Sequence, residues 1–127
     1  MVFIDADAFI AIHYSSDAHH KKAIEILNNF EDDLITSSEV VAETTTKLSY
    51  FLSHQIACNF INEILKSKII IEYLNPLRLQ QAKELFTKQS SKRISLTDCI
   101  NMIICRELGI EKIFSFDKHY EKNGFRL

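Results

Sequence analysis

The chain has 127 residues, of which 46% are apolar, enough to enclose one hydrophobic core, and we expect a single domain over residues 1–127. Its formal net charge of −2 excludes the strong overall basic field that many nucleic-acid-binding proteins carry. The sequence shows neither an apolar run long enough to span a bilayer nor a secretory leader, so we expect a cytoplasmic protein without a membrane segment.

Strands and helices alternate along the predicted chain. The predicted elements are a strand at 2–4, a helix at 17–30, a strand at 33–36, helices at 37–52 and 54–67, a strand at 68–74, helices at 76–89 and 95–110, and a strand at 111–117. The last residues, "GFRL", are a candidate fifth strand. This alternation predicts an α/β protein with a parallel sheet covered by helices on both faces.

Several local signals support these elements. Thr36 with Glu39, and Ser95 with Asp98, have the spacing of a capping box, and Gly109 is a typical helix end. Two apolar stripes predict buried helix faces, which are Ile56, Phe60, Ile64 and Leu65 on one helix and Leu79, Ala82 and Phe86 on another. The cysteines Cys58, Cys99 and Cys105 include no C-x-x-C pair, so we interpret them as small apolar residues.

Acidic residues recur at the points where the predicted strands end. Asp5 follows the first strand in "VFIDAD", and Asp117 ends the strand in "IFSFD". Asp98 lies in the first turn of the helix that leads to that strand, and Glu43 lies in the helix after the second strand. Each also has an ordinary explanation, because the aspartates suit helix caps and Glu43 suits an ion pair with Lys47.

Convergence of these acids on one sheet edge predicts a cation site. In parallel sheets, ligands bind at the carboxyl ends of the strands where the strand order reverses. Carboxylates gathered there repel one another unless a cation neutralises them, and hard oxygen ligands suit Mg²⁺ or Mn²⁺. Asp7 would support such an ion through a water molecule or cap the helix that follows it.

Four segments together resemble the motif regions of PIN domain nucleases, most closely the small single-domain toxins of the VapC type. The segments are "VFIDADAFIAI", "SSEVVAETTTKL", "SLTDCINMIICRELGI" and "KIFSFDKHYEKNGFRL". The resemblance implies a three-layer α/β/α sandwich with a central parallel sheet of four to five strands. It also implies divalent-metal-dependent RNA cleavage, a homodimer and a cognate antitoxin protein.

The resemblance assigns roles by position. The family's acidic metal-binding and catalytic residues match Asp5, Glu43, Asp98 and Asp117. Ser115 falls where the family commonly has threonine or serine, and His20 matches a histidine often seen after the first helical turn. Lys92, Arg93 and Lys118 adjoin the acidic motifs, so we expect them to contact phosphates of the RNA.

Three alternatives remain open from the sequence. A haloacid dehalogenase-like phosphatase would use Asp5 as its nucleophile, but Phe9 occupies the place where that class has threonine or valine. A receiver-type phosphorylation module lacks its central acceptor aspartate after "IIIEY". A non-catalytic PIN-like protein-binding module has the same motifs, and a nuclease assay with and without EDTA separates it from an enzyme.

Overall fold

The sheet is parallel throughout and its central strand is buried on both faces. The computed structural model describes all residues from 1 to 127. Its four strands are β1 (Val2–Ile4), β2 (Leu34–Ser37), β3 (Ile70–Glu72) and β4 (Lys112–Phe114), in the order β3-β2-β1-β4. All three residues of β1 are at most 1% exposed, which requires helices on both sides of the sheet.

The order of the strands reverses next to β1. The chain first adds β2 and β3 on one side of β1 and then returns to place β4 on the other side. In register, Ile4 of β1 lies opposite Phe114 of β4, so these two strands end at the same level. The residues that follow them, beginning with Asp5 and Ser115, therefore meet at one edge of the sheet.

Seven helices surround the sheet, and the first six of them form two packed groups. They are α1 (Ala6–His13), α2 (His20–Asn28), α3 (Ser38–Phe51), α4 (His54–Lys66), α5 (Pro76–Thr87), α6 (Leu96–Leu108) and α7 (His119–Lys122). Helix α1 packs against α2 and α3, α3 packs against α4, and α5 packs against α6. The predicted α/β/α sandwich is confirmed, and none of these helices is both long and apolar enough to cross a bilayer.

The C-terminal residues add one bridge to the sheet instead of a full fifth strand. Arg126 pairs in parallel with Lys112 as an isolated bridge. The Ile113 N–H donates to the Arg126 carbonyl at 2.8 Å, and the Arg126 N–H donates to the Glu111 carbonyl at 3.0 Å. The prediction of four to five strands agrees with a sheet of four strands and one additional bridge.

The helix ends follow the sequence signals with one correction. Ser95 and Asp98 form the predicted capping box of α6, and Gly109 ends that helix with a φ of 69°. The capping box predicted at Thr36 and Glu39 is wrong, because Ser37 caps α3 by accepting a hydrogen bond from the Val40 N–H. The Thr36 hydroxyl is instead buried and donates to the Ile4 carbonyl at 2.8 Å, which ties β2 to β1.

The predicted apolar stripes are correct only in part. Phe60, Ile64 and Ala82 are buried in the core, as are Cys99 and Cys105. The exposed members of the two stripes are Ile56, Leu65, Leu79 and Phe86. The stripes are narrower than predicted because α4 and α5 are outer helices, each packed mainly against one neighbouring helix.

Arg78 is an unexpected charged residue in the core, at 7% exposure. Its guanidinium donates to both carboxylate oxygens of Glu107 at 2.9 Å, to Glu72 at 2.9 Å and to the Tyr73 carbonyl at 2.7 Å. The arginine therefore joins β3, α5 and α6. A buried charge of this kind is tolerated because its hydrogen-bond donors are paired.

We expect Arg78→Met to lower the free energy of unfolding by about 2 kcal/mol, because it leaves two carboxylates without their donors. The matched control is Arg126→Met, which removes an exposed pair with Glu111 and should cost less than about 1 kcal/mol. Urea denaturation followed by circular dichroism measures both values. Equal losses in the two variants would contradict the role assigned to Arg78.

Candidate functional site

An acidic pocket opens at the edge of the sheet where β1 and β4 end. Its volume is about 210 Å³, and its charged lining residues are Asp5, Asp7, Glu43, Asp98 and Asp117, with Lys47 and Arg93. The five acids come from the residue that follows β1, from α1, α3 and α6, and from the segment after β4. The convergence predicted from the sequence is therefore present in the structure.

Asp5 lies at the base of this pocket and is 6% exposed. It occupies the N-cap position of α1, yet its side chain makes no capping hydrogen bond. One carboxylate oxygen accepts a hydrogen bond from the Asn101 amide at 3.3 Å, and the other accepts one from the Ser115 hydroxyl at 3.1 Å. Helix capping, the ordinary explanation for an aspartate here, does not account for Asp5.

Ser115 joins Asp5 to Asp7. Its hydroxyl lies 3.1 Å from an oxygen of Asp5 and 3.1 Å from both oxygens of Asp7. Because a hydroxyl has one proton, it donates to one carboxylate at a time. Asp7 gains a second donor in the Phe116 N–H at 3.0 Å, so the segment after β4 holds Asp7 firmly.

A buried polar network connects Asp5 to Asp98. The Asn101 amide donates to Asp5 and, at 3.0 Å, to the Tyr120 hydroxyl, and its carbonyl accepts from the Ser37 hydroxyl at 2.9 Å. The Tyr120 hydroxyl then donates to Asp98 at 3.2 Å. Residues from β2, α6 and α7 thus fix the orientation of both aspartates.

Glu43 and Asp117 are each paired with a basic side chain. Glu43 accepts from Lys47 at 2.8 Å, which is the predicted ion pair on α3. Asp117 lies 2.6 Å from the His119 ring and accepts from the His119 N–H at 2.9 Å. The opposite ring nitrogen of His119 lies 2.9 Å from the Ser91 hydroxyl, which connects the loop before α6 to Asp117.

Burial and mutual repulsion raise the pKa values of three aspartates. Burial, followed by repulsion from Asp7 and Asp98, raises the pKa of Asp5 to about 8. Burial also raises the pKa of Asp7, although the Phe116 N–H opposes this, and burial together with Asp117 raises the pKa of Asp98. The protein alone therefore leaves this pocket with uncompensated negative charge when its acids ionise.

The donor chemistry fits a hard divalent cation, because every acidic group in the pocket offers oxygen. In this conformation, however, no three histidine, cysteine, aspartate or glutamate side chains are arranged to hold an ion. The hydrogen bonds explain why, since Glu43 is turned toward Lys47, Asp98 toward Ser95, and Asp117 toward His119. Ion binding would require some of these carboxylates to exchange their protein partners.

The basic residues predicted to contact RNA lie in different places. Arg93 lines the acidic pocket and forms no ion pair, whereas Lys118 lines an adjoining cavity and Lys92 is exposed on the loop before α6. His20 is outside the pocket lining, and its ring hydrogen-bonds the Ala11 carbonyl at 2.7 Å, which ties α2 to α1. Lys47, the ion-pair partner of Glu43, also lines the pocket.

Sequence reasoning missed three residues that orient the acids, namely Ser37, Asn101 and Tyr120. Asn101 left a usable signal, because it is the one amide within the apolar run "CINMIIC" and lies three residues after Asp98, on the same face of α6. A larger cavity, of about 580 Å³, lies between α5 and α6 and is lined by none of the five acids. Cavity volume alone would therefore not identify the acidic pocket as the candidate site.

We expect the metal-free protein to lose stability between pH 3.8 and about 8, because native Asp5 retains a proton there that the unfolded chain releases. Asp5→Asn removes most of that slope and should raise Tm at pH 8 by at least about 4 °C, the shift that roughly 1 kcal/mol causes. The control is Asp33→Asn, at an exposed acid outside the pocket. Thermal unfolding in EDTA across this pH range measures the slopes, and identical slopes in all three proteins would contradict the burial cost of Asp5.

Curated relatives match the chain over almost its full length. The 23S rRNA-specific endonuclease VapC20 of Mycobacterium tuberculosis is 25% identical over 125 residues, covering 98% of this chain and 95% of that protein. The VapC ribonuclease of Aquifex aeolicus is 23% identical over 129 residues, covering 94% of this chain and 91% of that protein.

Solved structures share the fold. The crystal structure of Mycobacterium tuberculosis VapC20, described as a sarcin-ricin loop cleaving toxin, has a TM-score of 0.93 at 23% identity and covers 98% of this chain and 96% of its own. A toxin–antitoxin complex from Klebsiella pneumoniae has a TM-score of 0.67 at 13% identity, covering 93% and 88%. The family model of the PIN domain matches residues 2–126. With its PIN-like sheet and acidic pocket, the chain belongs to the PIN domain family.

Proposed function

We propose that this protein is an endoribonuclease that depends on Mg²⁺ or Mn²⁺, and that it is the toxin of a toxin–antitoxin pair. The observation that carries the proposal is the acidic pocket itself, in which five acids converge beside β1 and β4 in a chain of the PIN family. The relatives' names, an rRNA-specific endonuclease and a VapC ribonuclease, support the same activity.

The acids of the pocket are the proposed metal ligands. Asp5, Glu43 and Asp98 would hold the principal ion, and Asp117 would complete the site directly or through water. Ser115 would support Asp5 through the hydrogen bond that it donates, and Asp7 would contact the ion through a water molecule. When bound, a divalent ion supplies an activated water nucleophile and offsets negative charge at the phosphate.

The remaining polar residues of the site would orient the acids or bind phosphates of the RNA. Asn101 and Tyr120 join the carboxylates of Asp5 and Asp98 in one hydrogen-bond network, which would limit the rearrangement that ion binding requires. The unpaired guanidinium of Arg93 suits a phosphate oxygen at the pocket. Lys92 and Lys118 would contact flanking phosphates, which offsets the unfavourable net charge for RNA binding.

Partners of this protein would include an antitoxin and a second copy of the chain. Tyr50 and Phe51 at the end of α3 are 81% and 64% exposed, so they are available to a partner surface. Phe60 and Ile64 of the neighbouring helix α4 are buried in the core and cannot contribute to such a surface. Light scattering at micromolar concentration distinguishes a homodimer from a monomer.

We expect Asp5→Asn and Asp98→Asn each to reduce RNA cleavage at least about a hundredfold, because catalytic electrostatic groups typically contribute that much. Both variants should fold, since asparagine can still accept the Ser95 N–H at position 98 and relieves repulsion at position 5. The matched control is Asp32→Asn, at an exposed acid that pairs with the N-terminus. Cleavage of single-stranded RNA, with circular dichroism to verify folding, measures the effect.

EDTA should abolish the same cleavage, Mg²⁺ or Mn²⁺ should restore it, and Ca²⁺ should restore it poorly because its coordination is larger and looser. Full activity of either site variant would remove that residue from the site. A phosphatase would instead form an aspartyl-phosphate at Asp5 and bind aluminium fluoride there. That adduct, or hydrolysis of small monoesters without RNA cleavage, would overturn the nuclease proposal.

A further inference from the structure

Two aromatic rings from separate loops are stacked beside the acidic pocket. The His19 ring lies parallel to the Phe116 ring, with centroids 4.2 Å apart and an angle of 8° between the planes. Phe116 is half-buried, while His19 is exposed. One face of the imidazole therefore covers Phe116, while the His19 residue as a whole remains exposed to solvent.

The stacked pair adjoins the residues proposed to hold the ion. The Phe116 N–H donates to Asp7 at 3.0 Å, and Phe116 stands in sequence between Ser115 and Asp117. Phe116 also lines a cavity of about 190 Å³ together with Ser115 and Asp117, and Asp117 lines the acidic pocket as well. The base of a nucleotide whose phosphate lies in the acidic pocket would therefore be close to the stacked pair.

The His19 backbone and the Phe116 ring are held in position before any ligand arrives. The His19 N–H donates to Asp17 at 2.8 Å, which fixes the turn that precedes α2. The Phe116 ring packs edge-on against Phe114 of β4, with centroids 5.9 Å apart and planes at 69°. A platform that is already ordered loses little side-chain entropy when a flat ligand binds to it.

The charges next to the pair are mixed, because Asp17 and Asp117 lie beside it and two lysines close in sequence are available to contact the phosphate of a ligand. Lys21, two residues after His19, and Lys118, two residues after Phe116, are both exposed and form no ion pair. If the stacked rings served only to join the two loops, we would expect the His19 ring to be buried. His19 is instead exposed. Aromatic faces next to basic side chains are the usual means of holding single-stranded RNA.

We propose that His19, supported by Phe116, forms a stacking subsite for the nucleobase of a nucleotide adjacent to the scissile phosphate. This inference rests on the proposed ribonuclease function and adds to it the means by which one base is held. The subsite selects an unpaired base, because a base within a duplex has no free face for the imidazole.

Binding of a short fluorescein-labelled single-stranded RNA of mixed sequence, measured by anisotropy in Mg²⁺, tests the subsite. All proteins carry Asp98→Asn so that the RNA is not cleaved. We expect His19→Ala to raise Kd about tenfold, within the range that stacking of one base contributes, and His19→Phe to restore binding. The matched control is His54→Ala, at an exposed histidine on α4, which should leave Kd unchanged.

RNAs with a single abasic nucleotide, moved along the strand, locate the stacked base. One abasic position should weaken binding of the parent protein about tenfold and have no effect on His19→Ala, because the lost base and the lost ring belong to one contact. Three results would each overturn the subsite while RNA binding by the parent stands. They are an unchanged Kd in His19→Ala, a Kd in His19→Phe that is raised as much as in His19→Ala, and an abasic position that still weakens binding in His19→Ala. If the parent binds no RNA, the proposed function fails and the subsite fails with it.

Discussion

The burial of one carboxyl group at the end of the central strand constrains the whole site. Asp5 follows a strand that is buried on both faces, so the chain places an acid where water is largely excluded. Its pKa is raised to about 8, chiefly by burial and then by its acidic neighbours. A group in this position is costly to the fold unless its charge is compensated, and a bound cation is the compensation that the surrounding oxygen atoms suit.

The rest of the structure places around Asp5 the side chains that a cation site would need. The return of the chain to place β4 beside β1 brings Ser115 and Asp117 to the same edge as Asp5. Helix α6 contributes Asp98 and Asn101 from one face, and α7 contributes the Tyr120 hydroxyl that joins them. Because these residues come from separate elements, the fold must form before the acids are brought together.

Much of the fold could be predicted from the sequence because its local signals are strong. The alternation of strands and helices determines a parallel sheet, and the capping box at Ser95 and the glycine at position 109 mark the ends of α6. The correction at Thr36 shows the limit of such signals, because tertiary burial made its hydroxyl bond to Ile4 while Ser37 capped α3. Likewise, nothing in the spacing of α5 indicated that Arg78 would be buried among two glutamates of other elements.

The acids of the candidate site could be predicted from the sequence, whereas the hydrogen bonds that connect them could not. Asp5, Asp7, Glu43, Asp98 and Asp117 all line the pocket, since four of them follow a strand or begin a helix at one sheet edge and Glu43 lies in the helix that starts there. The partners that orient them are set by side-chain contacts across long sequence separations, such as Asn101 with Asp5 and Tyr120 with Asp98. Stacking of His19 on Phe116 joins two loops and leaves no periodic pattern in the sequence.

Calorimetric titration of Mn²⁺ into the metal-free protein at pH 7 tests the central claim most directly. A cation bound by Asp5 must displace the proton that its pKa of about 8 retains, so metal binding and proton release are coupled. We predict that the measured enthalpy varies with the ionisation enthalpy of the buffer by close to one proton per ion, and that Asp5→Asn loses this variation. Absence of Mn²⁺ binding, or binding by the unmodified protein with no proton release, would contradict the account.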